Sequence, residues 1–304
     1  MSVFDYLKNI FLILIILQIA PPLIKNVLDQ YSKLLVTPVK VAVLPIKGVL
    51  YESEDYCNKL RTFFEDETVK ALLLKIDSPG GAAGTSQSVF REILALKKEH
   101  PKPVVVLVEN VCASGGYNIA CAADYIIASG SAIIGSIGST LPYIFKVDKL
   151  IEQYNVQYIP IAAGEYKNTA NPFVPATPAE EELLKDITKN SYDQFVMEVS
   201  QSRKLSIADA PKWANGKIFT GEQSVSNHLI DQIGSISDAI EVIRQKAAIG
   251  KDDKIEWVYP PKKGGLWGMI SGESTQQTKS AVTSVANVFC DVIEERYTQK
   301  PILS

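Results

Sequence analysis

The sequence predicts an α/β layered fold built on parallel strands, preceded by an apolar N-terminal helix. Short, fully apolar runs alternate with stretches of helical spacing. That is the pattern of strands buried on both faces and joined by helices. Two strand-to-helix junctions each carry adjacent glycines, Gly80-Gly81 and Gly115-Gly116. The apolar run at residues 10–20, IFLILIILQIA, marks the N-terminal helix.

The elements follow in order. Residues 40–47 (KVAVLPIK) read as a first strand and residues 56–64 as a helix with a mixed surface. Residues 71–76 (ALLLKI) form a short buried strand, stopped by the turn signal Asp77-Ser78-Pro79-Gly80-Gly81. Residues 85–98 show helical spacing through Val89, Phe90, Ile93, Leu94 and Leu96. Residues 103–109 (PVVVLVE) are another buried strand. Ser114-Gly115-Gly116 and an alanine-rich helix at 117–123 follow. Residues 125–128, 132–134 and 156–161 read as further strands. Pro178 opens a long helix to about residue 202. Proline suits the first helical turn, and Glu180, Glu181 and Glu182 suit its positive end. Residues 238–248 make the last helix of the main domain.

Three segments result. Residues 1–38 are anchor and linker, residues 39–249 are the main domain, and residues 250–304 are a loosely structured extension with a helix at 281–296. The 304 residues suffice for a sizeable core. Hydrophobic residues make up 46% and charged residues 21%, a globular composition. The net charge is −3 and no basic block tracks a phosphate backbone, so nucleic acid is not an expected partner. Cys57, Cys112, Cys121 and Cys290 have no metal-ligand spacing. Cys112 and Cys121 read as buried free thiols. No metal or cofactor is expected.

Eleven helical residues cover only about 16 Å of the roughly 30 Å hydrocarbon layer. Counted from Phe4 to Ile24 the segment spans, provided it tolerates Asp5, Lys8, Asn9 and Pro21-Pro22. Proline directly after Gln18-Ile19-Ala20 suits a signal-peptide cleavage site poorly. An uncleaved single-pass anchor in membrane lipid is the expectation; a cleaved signal and an interfacial helix stay open. Lys25, Lys33 and Lys40 outnumber Lys8, which points the following domain inward.

The glycine pairs at the two junctions suggest a site. Glycine lets the chain turn tightly and present bare N–H groups, and N–H groups at a helix start attract negative charge. Acyl transfer needs a nucleophile beside two such donors, and Ser114 stands directly before Gly115. A serine also needs a base. His100 lies in a charged turn and His228 reads as structural. A lysine serves as a base when desolvation or neighbours lower its pKa. Most lysines here sit in charged or polar runs, whereas Lys167 precedes an uncharged stretch ending in Pro172-Phe173.

These residues match a family. DSPGG (Asp77 to Gly81), ASGGY (Ala113 to Tyr117), GSIG (Gly135 to Gly138) and GEYK…PF (Gly164 to Phe173) occur in one order. Together they resemble the signal peptide peptidase A family. The resemblance runs over roughly residues 40–245, through Gln201-Ser202-Arg203, Gly216 to Gly221, and Ile230 to Gly234 with Asp238-Ala239-Ile240.

The resemblance implies a Clp-protease/crotonase-like fold of repeated ββα units, and a serine endopeptidase acting on remnant signal peptides. It implies Ser114 as nucleophile, Lys167 as general base, Ser136 as the residue orienting that lysine, and Gly81 as oxyanion donor, with Gly115 as the second. It implies a homo-oligomer in which serine and lysine of one site come from neighbouring subunits. It also implies an extracytoplasmic catalytic domain, which is the expectation taken here over the lysine count.

One departure stands out. The family's Gly-Leu-Val-Asp step is His228-Leu229-Ile230-Asp231 here, so Asn227 or His228 should take left-handed geometry. Two other functions compete. A crotonase-type acyl-CoA enzyme would need carboxylate bases in the pocket, and no carboxylate pair lies near Gly81 or Gly115 in the sequence. A non-catalytic membrane scaffold would have no need of the Ser114, Ser136 and Lys167 set.

Overall fold

The alternation of side chains along three neighbouring strands decides the architecture. The computed structural model describes residues 37–141 and 145–260, with residues 17, 18, 20–22, 24 and 25. Strands β1 (Val39–Leu50), β2 (Val69–Gly81) and β3 (Val104–Ala113) pair in parallel. Ala42, Leu44 and Ile46 of β1 face one core with Leu72, Leu74 and Ile76 of β2 and Val104, Val106 and Val108 of β3. The intervening Val41, Val43, Ala71, Leu73, Val105 and Leu107 face a second core. Both faces are dry, which is why these runs are apolar without a polar alternate.

Helices supply the two covers. Helix α1 (Glu54–Glu65) buries Leu60, Phe63 and Phe64, and α2 (Ala83–Glu99) buries Val89, Phe90 and Ile93 on the first face. Helices α3 (Gly115–Ala120) and α5 (Pro178–Arg203) add Tyr117, Val196 and Val199 there. The second face is covered by α8 (Ile236–Lys246) through Ala239, Val242 and Ile243. Each fully buried aliphatic side chain contributes about 1.5–3 kcal/mol of transfer free energy.

The sheet forks at β3. Val105 to Val108 pair with β4 (Tyr125–Ala128), whereas Val111 to Ala113 pair with β5 (Ile133–Gly135). Strand β6 (Ile218–Thr220) lies antiparallel on β5, β7 (Gln232–Ile233) joins β4, and β8 (Ile255–Val258) joins β1. The strand order along the main path is β6-β5-β3-β2-β1-β8. Short helices α4 (Asp148–Gln153), α6 (Ala210–Trp213) and α7 (Gly221–Ser226) fill the connections. Helix α5 starts with a full capping box, in which Thr177 and Glu180 satisfy each other's backbone N–H groups.

Several expectations change. Residues 156–161 form no strand: they lie in exposed irregular chain, with Ile161 97% exposed and no partner strand among the described residues. Strand β8 lies past the boundary drawn at residue 249, because Val39 to Ala42 leave a free sheet edge for it. The chain divides into Met1–Tyr259 and Pro260–Ser304, and only Pro260 of the second unit is described. The expected helix at 281–296 therefore lies outside the described residues. So does most of the expected anchor. Among the described residues no helix is long and apolar enough to cross a membrane. The left-handed geometry expected of Asn227 or His228 falls on His228, at φ 56°. Cys57, Cys112 and Cys121 are buried free thiols.

Candidate active site

The site forms where β1, β2, β3 and β5 end together. Asp77-Ser78-Pro79-Gly80-Gly81 closes β2. The buried Ser78 pins this turn: its hydroxyl donates to Gly48 O at 2.6 Å and accepts from Gly80 N at 3.1 Å. Gly80 (φ 103°) lies so close to the next junction that a Cβ there would stand 2.7 Å from both Gly115 N and Ser114 Cβ. A Cβ on Gly81 would stand 2.1 Å from Leu50 O. Both glycines are thus demanded by close approach of backbone to backbone.

Ser114 sits at the N-terminus of α3, with φ 51° and ψ −123°. This conformation is costly for a residue with a Cβ. The surroundings hold it: Ser114 N donates to Gly135 O at 2.8 Å, and Ser114 O accepts from Asn118 N at 2.9 Å. Ser114 is half-buried rather than sealed in the core. Ser136 follows β5, also at φ 51°, with its N–H on Lys217 O at 2.8 Å.

Gly81, Ser114, Gly115 and Ser136 line one cleft of about 940 Å³. A second hollow of about 620 Å³ shares Gly138, Ser139, Leu141 and Gly216 with it and runs on past Leu184 and Tyr192. Lys167 is not among the cleft's lining residues. It lies in an exposed turn, its N–H on Gly164 O at 3.1 Å. Four of the five predicted site residues therefore converge within the chain, and Lys167 does not join them there.

The fold also adds residues that the sequence reading missed. Asn118, one turn past Ser114, lines the cleft, as do Gln87 from α2 and Gln194 and Glu198 from α5. Glu198 stands about eighty residues from Asn118 in the chain, so no local spacing announced it. Among its described lining residues the cleft contains a single carboxylate, that of Glu198, bonded to the amides of Gln87 and Asn118.

Beneath the site the chemistry is inert. Burial pushes the Cys112 thiol well up, and the Cys121 thiol to about 12. The Tyr117 hydroxyl, also raised chiefly by burial, donates to Leu229 O at 2.6 Å. Asp231 anchors this region: it accepts from both terminal nitrogens of Arg203 at 2.9 Å and from Ile126 N at 2.7 Å.

Residues 96–250 match the family described as "Peptidase family S49". A Methanocaldococcus jannaschii protein named as a candidate protease is 36% identical over 214 residues, 70% of this chain and 68% of that protein. Protease 4 of Haemophilus influenzae is 32% identical over 249 residues, 76% of this chain. The chloroplastic serine protease SPPA of Arabidopsis thaliana is 34% identical over 216 residues, 71% of this chain. This chain spans only 38% and 32% of the lengths of the latter two.

Proposed function

The chain belongs to peptidase family S49, the signal peptide peptidase A family, and on that premise we propose that it is a serine endopeptidase working through a Ser–Lys dyad. Ser114 attacks the scissile carbonyl. The N–H groups of Gly81 and Gly115 receive the oxyanion. Lys167 takes the serine proton and returns it to the leaving amine, and Ser136 orients the lysine.

The observation that carries this reading is the shared cleft. Ser114 stands in a strained, accessible turn at a helix start, on a surface common to Gly81, Gly115 and Ser136. Strain of this kind persists where the surroundings over-determine it, and it clusters at active sites.

Lys167 serves a neighbouring subunit's Ser114. Its exposure, away from the cleft of its own chain, supports that reading. So do apolar side chains bared in the preceding stretch of chain: Phe145 and Ile159 are each 75% exposed, and Tyr154 72%. Exposed apolar groups on this scale are characteristic of association surfaces. Assembly into a homo-oligomer is then a condition for activity. The forked sheet is read as the Clp-protease/crotonase-like arrangement. The substrates are peptides at the membrane, remnant signal peptides among them. The apolar run at residues 10–20 supplies the attachment, with the catalytic domain on the extracytoplasmic side.

The test is hydrolysis of a quenched fluorogenic peptide by the full chain, with Ser114→Ala and Lys167→Ala alongside. Each variant should lose at least about a thousandfold in kcat. Hydrolysis surviving Ser114→Ala would contradict the reading.

A further inference from the structure

Glu198 is the one charged side chain among the described residues that line the cleft. Its side chain is only 12% exposed. It does not stand alone. Gln87 Nε2 donates to its Oε1 at 2.8 Å, and Asn118 Nδ2 to its Oε2 at 2.7 Å. Gln87 Nε2 also reaches Gln194 Oε1 at 3.1 Å. The only cation paired with Glu198 among the described residues is Arg91, at a long 3.7 Å and with a side chain 65% exposed.

Asn118 completes the arrangement. The residue is 3% exposed, and its amide nitrogen is committed to Glu198. Its side-chain oxygen has no hydrogen-bond partner among the described residues. That oxygen is itself sealed from solvent, so Asn118 bears on the cleft through its amide nitrogen, which holds the Glu198 carboxylate in place. The Glu198 carboxylate also keeps unused acceptor capacity beyond its amide bonds.

We propose that Glu198, held in place by the amides of Asn118 and Gln87, forms a specificity subsite for a basic side chain, lysine or arginine, of the peptide substrate. The proposal rests on the peptidase reading above. A lysine ammonium carries three donors and no acceptor. One of them forms a charge-assisted bond to the Glu198 carboxylate. Asn118 lies one helical turn from Ser114 and bonds to its carbonyl, so the pocket receives the residue flanking the scissile bond. Arg91 weakens the preference by partly neutralising the carboxylate.

The experiment uses fluorogenic peptides identical except for lysine, norleucine or glutamate at each residue flanking the scissile bond. The full chain should cleave the lysine peptide with kcat/KM about tenfold above norleucine at one of these positions, the discrimination expected of one charge-assisted hydrogen bond. Glu198→Gln should bring the ratio close to one. Arg91→Ala should raise it several-fold; this change touches an exposed side chain and remains decisive if Glu198→Gln folds poorly. Binding of the same peptides to Ser114→Ala, followed by fluorescence anisotropy, reads selectivity without chemistry. Hydrolysis without lysine preference, or a ratio unmoved by both variants, overturns the subsite alone. Lysine-selective binding without hydrolysis by the unmodified chain overturns the peptidase reading alone.

Discussion

Ser114 and Ser136 leave two parallel strands at the same register, one residue past the paired Ala113 and Gly135, and both take φ 51°. The hydrogen bond from Ser114 N to Gly135 O, 2.8 Å, ties the two exits together. The fork of the sheet at β3 creates this meeting point: the end of β3 leaves β4 and takes β5 as its neighbour. Two serines far apart in sequence thereby reach one cleft.

Ser136→Ala tests what that juxtaposition does. If the hydroxyl orients the general base, kcat should fall about 10- to 100-fold while KM changes little. The backbone bond from Ser136 N to Lys217 O survives the change, so the melting temperature should hold. Steady-state kinetics with a thermal melt separates the two effects.

Gly80→Ala should fail in both respects. The added Cβ meets Gly115 N and Ser114 Cβ at 2.7 Å, at a φ of 103°. The cost should be about 1–3 kcal/mol or more of stability, with kcat falling at least about a hundredfold as the turn bearing Ser114 is displaced. Denaturant unfolding and kinetics on one preparation check both.

Two exposed carboxylates predict part of the acid response. Asp238 is held below the usual carboxylate range, first by the Ser235 backbone N–H and then by its hydroxyl. Asp66 is held down by the Thr68 hydroxyl and N–H. A depressed folded pKa means a contribution fully present above the unfolded value and lost as pH falls through the folded value. Asp238→Asn and Asp66→Asn should therefore lower stability at neutral pH. The difference should vanish below the carboxylate range. Melting curves from neutral to acid pH follow it.

The buried thiols predict resistance to alkylation. With Cys121 at about 12, only about one thiol in ten thousand is ionised near pH 8, and the thiolate is the reactive form. In a Cys290→Ser background, iodoacetamide should label Cys57, Cys112 and Cys121 slowly in the native chain and fully in denaturant. Mass spectrometry resolves the sites.

The large elements were legible because their signals are local. β1, β2 and β3 announced themselves as apolar runs, and α5 through Pro178 and its acidic first turn. Strands β6, β7 and β8 span only three, two and four residues, too few for a periodic signal. The apolar residues 156–161 carry strand composition but have no partner strand among the described residues, and a strand without one does not form. In the site, Gly81, Ser114, Gly115 and Ser136 were readable because each lies in a short motif. Asn118 and Glu198 were not, because their pairing comes from α3 packing against α5. Lys167 stands between these cases: its motif was readable, and under the proposed mechanism its place in a working site depends on a second chain.

That dependence gives the most direct measurement. Ser114→Ala and Lys167→Ala chains, each inactive alone, are dissociated, mixed in equal amounts and reassembled. If Lys167 serves the neighbour's Ser114, random head-to-tail assembly restores peptide hydrolysis to about a quarter of the unmodified level. A mixture as inactive as its components, in oligomers shown to contain both chains, would contradict a dyad shared between subunits.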